Sequence, residues 1–171
     1  IDIHNRNIHW LTSFSTLSFD RAAHTSKRLL DLFVSSLILL ALLPFLPLIA
    51  ILIKLDSRGP VFYRQERVGL FNKKFQILKF RTMRTDAEKD GAQWASQEDD
   101  RVTRFGKFMR YTRIDEFPQF WNVLKGDMAI VGPRPERPEF EEMLIEEVPF
   151  YTRRHLVQPG ITGWAQIKFK Y

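Results

Sequence analysis

An uncharged run near the start of the chain constrains the fold more than any other feature. Residues 32–53 are 22 residues without a charged side chain. A straight helix of this length would cover roughly 33 Å, enough to cross the hydrocarbon core of a bilayer. Pro44 lies in its middle and Pro47 follows. Because each proline removes a backbone donor and crowds the preceding turn, the pattern predicts a helix broken at Pro44.

Three structures are consistent with this run: a kinked helix that crosses the bilayer, a re-entrant hairpin, and a buried core helix. Lys27 and Arg28 precede the run, and Lys54 and Arg58 follow it. Because positive side chains favour the cytoplasmic side, basic residues at both ends favour the re-entrant hairpin, with Lys27 and Arg28 at the membrane interface. The core helix is disfavoured because the uncharged run is long for so small a domain.

Composition limits the other choices. The chain has 171 residues, of which 44% are hydrophobic, enough for one packed domain. It contains no cysteine, and its four histidines lack the spacing of metal ligands. The net charge of +6 predicts attraction to a polyanion, whether nucleic acid, anionic lipid or a phosphorylated substrate. Residues 1–26 are polar and lack periodicity, which predicts a linker from an upstream region.

Local signals predict a small β-hairpin after residue 56. Strand-like segments 61–63 and 75–80 are separated by turn residues 67–72. Lys79 and Arg81 would share one face of an extended segment. Two neighbouring cations can hold a phosphate, although a solvated strand face is equally consistent with the pattern.

A basic segment leads into a pair of carboxylates. Between residues 101 and 113 a basic residue recurs at every third position beside apolar ones, which predicts an amphipathic helix. Such a helix suits anionic head groups or a diphosphate, with a solvated basic face as the alternative. Asp115 and Glu116 follow, at the predicted start of another helix. The helix dipole would keep both anionic, ready to bind a divalent cation or attack phosphorus; a simple N-cap is the alternative.

Seven ordered motifs extend this pattern from residue 27 to residue 166. In chain order they are Lys27-Arg28-Leu-Leu-Asp31, Gly59-Pro60-Val-Phe-Tyr-Arg-Gln65-Glu66-Arg67-Val-Gly69, Lys79-Phe-Arg81-Thr82-Met83, Asp115-Glu116-Phe-Pro118-Gln119, Asn122-Val-Leu-Lys125-Gly126-Asp127-Met128, Val131-Gly132-Pro133-Arg134-Pro135 and Pro159-Gly160-Ile-Thr162-Gly163-Trp164-Ala-Gln166. With these motifs the chain resembles the bacterial sugar transferases, the monotopic phosphoglycosyl transferases that prime exopolysaccharide and O-antigen assembly.

The resemblance implies a small, mostly helical α/β domain with a Pro-broken re-entrant membrane helix at residues 27–55, a short β-hairpin and amphipathic interfacial helices. Residues 56–171 would be the catalytic domain on the cytoplasmic face of the bacterial inner membrane, truncated at its C-terminus. The reaction it implies moves a sugar 1-phosphate from a UDP-sugar to undecaprenyl phosphate and releases UMP. Asp115 would be the nucleophile that carries a covalent phosphosugar, and Asp115 and Glu116 would hold Mg²⁺.

The resemblance also gives roles to basic residues. The residues expected to contact phosphate or nucleotide are Lys79, Arg81, Arg110, Arg134 and, as a stand-in for a family arginine, Lys170. Asp127 is either a second metal-site carboxylate or, with better support, a turn residue. Leu43 stands where relatives often have serine before the breaking proline, so the break is expected to differ in detail.

Two other functions remain consistent with parts of the sequence. A catalytically silent scaffold of a glycan assembly complex would keep the membrane helix and lose the chemistry. A basic nucleic-acid-binding module would explain the charge, but the adjacent carboxylates would repel a phosphate backbone, so no nucleic acid partner is expected. The transferred sugar is not encoded in a readable pattern, and a homo-oligomer is left open.

Overall fold

A computed structural model describes residues 21–89, 91 and 99–168. The chain divides into two units, Ile1–Leu30 and Asp31–Tyr171. The predicted linker up to residue 20, residues 92–98 and Lys170 lie outside the described residues.

The apolar run is helical on both sides of Pro44. Helix α1 (Arg21–Leu42) begins six residues before the predicted start of the membrane helix, so residues 21–26 are helical. A 3-10 turn (Leu43–Phe45) contains Pro44 and leads into helix α2 (Leu46–Asp56). The stretch Ala23–Asp56 is long and apolar enough to cross a membrane by length and composition, and little of it is buried. The apolar helix is therefore confirmed, whereas the re-entrant hairpin and the interfacial role of Lys27 and Arg28 stay predictions.

The predicted β-hairpin is confirmed. Strand β1 (Phe62–Val68) pairs antiparallel with strand β2 (Lys74–Phe80), and Tyr63 lies opposite Lys79. The turn between them closes where the Gly69 N–H donates to the Lys73 carbonyl at 2.9 Å. The predicted fold class is thereby confirmed in part: the described structure is mostly helical and contains a short antiparallel pair of strands.

The two faces of β2 pack against different neighbours. Phe80 belongs to a core cluster with Leu42, Ile53 and Met109, which joins the hairpin to α2 and to a later helix. Ile77 packs on the opposite face with Val123 and Met128. Because side chains alternate along a strand, Lys79 lies on the Ile77 face. This alternation places the lysine among the elements that follow residue 113.

The rest of the chain adds four helices, two 3-10 segments and two short strands to the described part. They are α3 (Arg104–Thr112), a 3-10 turn (Ile114–Glu116), α4 (Gln119–Lys125), β3 (Ala129–Val131), α5 (Pro138–Glu147), a 3-10 segment (Tyr151–Leu156), β4 (Gly160–Thr162) and α6 (Trp164–Lys168). Strands β3 and β4 pair in parallel, with Ala129 opposite Gly160. Asp31 of α1 is buried, and its Oδ1 accepts from the Ile130 N–H of β3 at 3.4 Å.

We expect Gly106→Ala to destabilise the protein, although this substitution usually stabilises a helix. Gly106 lies in the first turn of α3, and a Cβ there would stand 2.1 Å from the backbone oxygen of Thr82. Because a backbone atom cannot swing away, we expect a loss of about 1–3 kcal/mol in the free energy of unfolding. Chemical unfolding in detergent micelles measures it. Lys107→Ala, at an exposed position of the same helix, is the control; equal losses in both variants would contradict the steric explanation.

Candidate active site

Asp115 and Glu116, called the carboxylate dyad here, lie in a sharp turn between α3 and α4. Helix α3 ends where Arg113 adopts a left-handed conformation, with φ 60°. The Glu116 N–H donates to the Arg113 carbonyl at 3.2 Å. Helix α4 begins at Gln119, four residues after the predicted start, because Pro118 has no N–H with which to continue an earlier helix. The dyad is therefore in a 3-10 turn and not in the first turn of α4.

Asp115 is buried without a partner for one of its oxygens. Asp115 is 7% exposed, and its Oδ1 has no hydrogen-bond partner. Burial raises the pKa of Asp115; the nearby charge of Lys79 opposes this, and that of Glu116 adds to it. A buried carboxylate oxygen with an unused lone pair is a costly feature, and such features concentrate at functional sites.

Glu116 is held by two cations. Its Oε1 accepts from Lys79 Nζ at 3.3 Å and from Arg134 Nη2 at 2.9 Å. Burial alone would raise the pKa of Glu116, but Lys79 and Arg134 outweigh burial and lower it to about 2. The glutamate is thus anionic and holds together β2 and the segment that follows β3.

The sequence predicts that one helix dipole keeps both carboxylates anionic, but the dyad precedes α4 and the two pKa values shift in opposite directions. The pKa of Asp115 is raised by burial, whereas that of Glu116 is lowered because Lys79 and Arg134 outweigh its burial. The reason is that the turn directs Glu116 to the two cations, while no group donates to Oδ1 of Asp115. Two carboxylates with such different environments can have different roles.

The remaining predicted site residues do not all converge on the dyad. Arg110 Nε donates to Thr82 Oγ1 at 3.0 Å, and the Arg110 charge acts to lower the pKa of Asp115. The Arg81 guanidinium donates instead to the carbonyls of Ser57 and Arg58, at 2.6 and 2.9 Å, where it caps the end of α2. Phosphate binding by Arg81 stays a prediction.

The basic segment before the dyad is shorter as a helix than predicted. Arg101 lies before α3 and forms a two-pronged ion pair with Asp99, with both N–O distances 2.7 Å.

Asp127, after α4, accepts from Lys125 at 2.9 Å and from Asn122 at 3.2 Å. These contacts belong to a turn, the role that the sequence favours for Asp127.

The site offers a cation one oxygen atom with free coordination. Mg²⁺ prefers oxygen ligands and is commonly bound through one or two carboxylates together with substrate phosphates. Oδ1 of Asp115 is buried and unpartnered, so it fits this requirement. Among the described residues no group of three acidic or histidine side chains could hold a metal by itself. The residues would fit a magnesium ion whose other ligands are substrate phosphates and water.

Two residues beside the dyad received no role from the sequence. Arg67 and Gln119 line a cleft together with Lys79 and Arg134. The hairpin register could have indicated Arg67, because residues directly opposite each other share a face. Arg67 is four pairs along from Tyr63, which lies opposite Lys79, so alternation places Arg67 on the same face as the lysine. Gln119 ends the Asp115-Glu116-Phe-Pro118-Gln119 motif, and this membership is the signal for it in the sequence.

Curated relatives match most of this chain. It is 50% identical over 145 residues to the UDP-N-acetylgalactosamine-undecaprenyl-phosphate N-acetylgalactosaminephosphotransferase of Aeromonas hydrophila, covering 85% of this chain and 34% of that protein. It is 52% identical over 145 residues to the undecaprenyl-phosphate glucose phosphotransferase of Komagataeibacter xylinus, covering 82% of this chain and 27% of that protein. It is 47% identical over 146 residues to the exopolysaccharide production protein PSS of Rhizobium leguminosarum bv. phaseoli, covering 83% of this chain and 73% of that protein.

The chain thus spans about a third or less of the first two relatives and most of the third. The family model described as bacterial sugar transferase matches residues 22–171. This match includes the apolar helices, the hairpin and the dyad turn. The chain belongs to the bacterial sugar transferase family.

Proposed function

We propose that this protein transfers a sugar 1-phosphate from a UDP-sugar to undecaprenyl phosphate and releases UMP. The observation that carries the proposal is the buried, unpartnered Oδ1 of Asp115 beside Lys79 and Glu116. The names of the relatives support the reaction, since those of Aeromonas hydrophila and Komagataeibacter xylinus are named as phosphotransferases that act on undecaprenyl phosphate.

Asp115 is the nucleophile in this proposal. One of its carboxylate oxygens attacks the sugar-bound phosphorus of the UDP-sugar, and the bond from that phosphorus to the bridging oxygen breaks. UMP leaves with the electron pair, and the sugar phosphate stays on Asp115. An oxygen of undecaprenyl phosphate then attacks the same phosphorus and restores the free carboxylate. Two steps suit a soluble donor and a membrane-bound acceptor, which need never be bound together.

Cations around the dyad counter the charge of the phosphates. Lys79 and Arg134 are positioned by Glu116, the residue that follows Asp115. Arginine offers a planar pair of donors to phosphate oxygens, whereas lysine offers a point charge. Arg110, bonded to Thr82, helps to keep Asp115 ionised before attack.

Magnesium, when bound, would neutralise charge on the diphosphate and make UMP a better leaving group. Asp115 Oδ1 is the atom that would hold it, with Glu116 beside it. Because Oε1 of Glu116 already accepts from Lys79 and Arg134, the glutamate acts mainly by positioning those two cations.

The apolar helices would place this chemistry at a membrane. Most side chains between residues 29 and 55 are exposed, and they include large apolar ones such as Phe33, Leu40 and Leu48. Such a surface costs free energy in water and is stable in lipid. We propose that α1 and α2 form a re-entrant hairpin and that the site faces the cytoplasm, where UDP-sugars are found.

UMP release tests the proposal. The chain is assembled in lipid nanodiscs with undecaprenyl phosphate and Mg²⁺, and a panel of UDP-sugars is supplied one at a time. We expect many equivalents of UMP with at least one donor, and no more than one equivalent per chain when the lipid phosphate is left out. The single equivalent reflects sugar phosphate retained on Asp115.

Two results would contradict the proposal. If no donor yields UMP, the proposed transferase activity is contradicted and a catalytically silent scaffold is favoured. Equal multiple turnover with and without the lipid phosphate would indicate hydrolysis of the donor and not transfer to a lipid.

A further inference from the structure

The cleft beside the dyad is lined by an unusual set of donors. Its polar side chains are those of Arg67, Lys79, Gln119 and Arg134. The cleft is small and partly open to solvent. The three cations outnumber the two carboxylates that pair with them, Glu116 and Glu136, so this cleft, called the donor cleft here, keeps a net positive charge that suits an anion.

Gln119 is the least expected member of the donor cleft. It is only 2% exposed, and its Nε2 has no hydrogen-bond partner. Buried amides in proteins are almost always paired, because an unpaired donor loses its bonds to water without replacement. Gln158 shows the usual arrangement, since its Nε2 donates to the Gly126 carbonyl at 2.8 Å.

The cations of the donor cleft crowd one another. Burial is the main cause of the lowered pKa of Arg67 and of Lys79, and the neighbouring charge of Arg134 lowers both further. The partners of Arg67 Nη1 are the Pro135 carbonyl at 3.0 Å and Glu136 at 3.5 Å. An anion in the donor cleft would relieve this repulsion and would also accept from the unpaired amide.

We infer that Gln119 is a substrate-binding residue whose Nε2 donates to a phosphate oxygen of a substrate, beside the cations of the donor cleft. The inference rests on the proposed function and deepens it by naming a phosphate-binding residue outside the dyad. The shared chemistry is a phosphate group, which either the diphosphate of the donor or the undecaprenyl phosphate supplies. A neutral amide suits this role because it adds a donor without more positive charge in an already crowded cleft.

Binding and stability measured on the same variant test the inference. Gln119→Met replaces the amide by an apolar side chain of similar length. We expect affinity for UDP or for undecaprenyl phosphate to fall about tenfold or more, because a hydrogen bond to a charged group is lost. The melting temperature should stay unchanged or rise, since no folded-state hydrogen bond is removed. UDP affinity is measured by calorimetry on the chain in nanodiscs, and lipid affinity with undecaprenyl phosphate in the bilayer.

Gln158→Met is the matched control. It removes an amide that is satisfied by Gly126, so we expect a lower melting temperature and ligand affinities within twofold of wild type. Gln119→Glu is a second variant that keeps the shape of the side chain, and we expect weaker binding than with methionine because a carboxylate repels phosphate. Weakened UDP binding identifies the donor diphosphate as the ligand, and weakened binding of undecaprenyl phosphate alone identifies the lipid.

The outcomes separate this inference from the proposed function. Wild-type affinity for both ligands in Gln119→Met would overturn the inference even if the chain released UMP from a UDP-sugar. Failure of the wild-type chain to bind either ligand would also overturn it. Loss of UDP binding in Gln119→Met, in a chain that releases no UMP from any donor, would support the binding role and contradict the transferase activity.

Discussion

Asp115→Asn is expected to lower UMP release from a UDP-sugar by on the order of 10³-fold or more and to leave the folded protein at least as stable. Asparagine has the shape of aspartate but cannot form the covalent phosphosugar. Burial raises the pKa of Asp115, so the folded protein disfavours the charged carboxylate relative to a neutral side chain. Turnover in nanodiscs and thermal unfolding measure the two effects. Loss of activity with unchanged or greater stability distinguishes a catalytic group from a structural one.

Asp127→Asn is the matched control for this substitution. Asp127 lies in the turn after α4 and pairs with Lys125 and Asn122. The same change of one oxygen to an amide nitrogen should therefore leave UMP release within a few-fold of wild type. Comparable loss in both variants would mean that the effect arises from a general disturbance of the α4 region, and full activity of Asp115→Asn would remove Asp115 as the nucleophile.

Local patterns predicted the elements that depend on local forces. The absence of charge over residues 32–53 is sufficient to predict the apolar helix, and alternation with turn residues is sufficient for the hairpin. Periodicity also predicted the helix before the dyad, although α3 begins at Arg104 and not near Arg101. Thr103 caps the helix by accepting from the Gly106 N–H at 3.1 Å, so Arg101 lies before α3, where it pairs with Asp99.

Contacts between distant segments could not be predicted from the sequence. Strands β3 and β4 are three residues each and pair in parallel, 31 positions apart from Ala129 to Gly160. They approach so closely that a Cβ at Gly160 would stand 2.1 Å from the Gly132 nitrogen, so two glycines are needed there. Segments this short carry no periodicity, and only their pairing defines them.

The placement of the basic side chains was predictable in one case and not in another. Alternation along β2 correctly places Lys79 on the face that carries Ile77, toward the dyad. The same alternation would place Arg81 beside Lys79, but β2 ends at Phe80, and the Arg81 side chain caps α2 instead. A strand pattern gives the face of a residue only while the strand continues.

Glu116→Gln is expected to reduce the free energy of unfolding by about 3 kcal/mol at neutral pH. The pKa of Glu116 in the folded protein is about 2, against an ordinary value of 4.5. Burial by itself would raise this pKa, so the lowering reflects net stabilisation of the anion by Lys79 and Arg134. Glutamine leaves both cations near the dyad without their shared anion, and breaking a buried ion pair on one side is strongly destabilising.

The pH dependence makes this prediction specific. Because the pKa of Glu116 is depressed in the folded state, its contribution is complete above about pH 4.5 and is lost as the pH falls toward 2. Chemical unfolding in detergent micelles should therefore show the wild type and Glu116→Gln converging between these pH values. Glu66→Gln is the control, because Glu66 and Lys74 form an exposed pair and its loss should cost less than about 1 kcal/mol at any pH. A difference for Glu116→Gln that is the same at pH 7 and near pH 2 would show that the charge of Glu116 does not stabilise the fold.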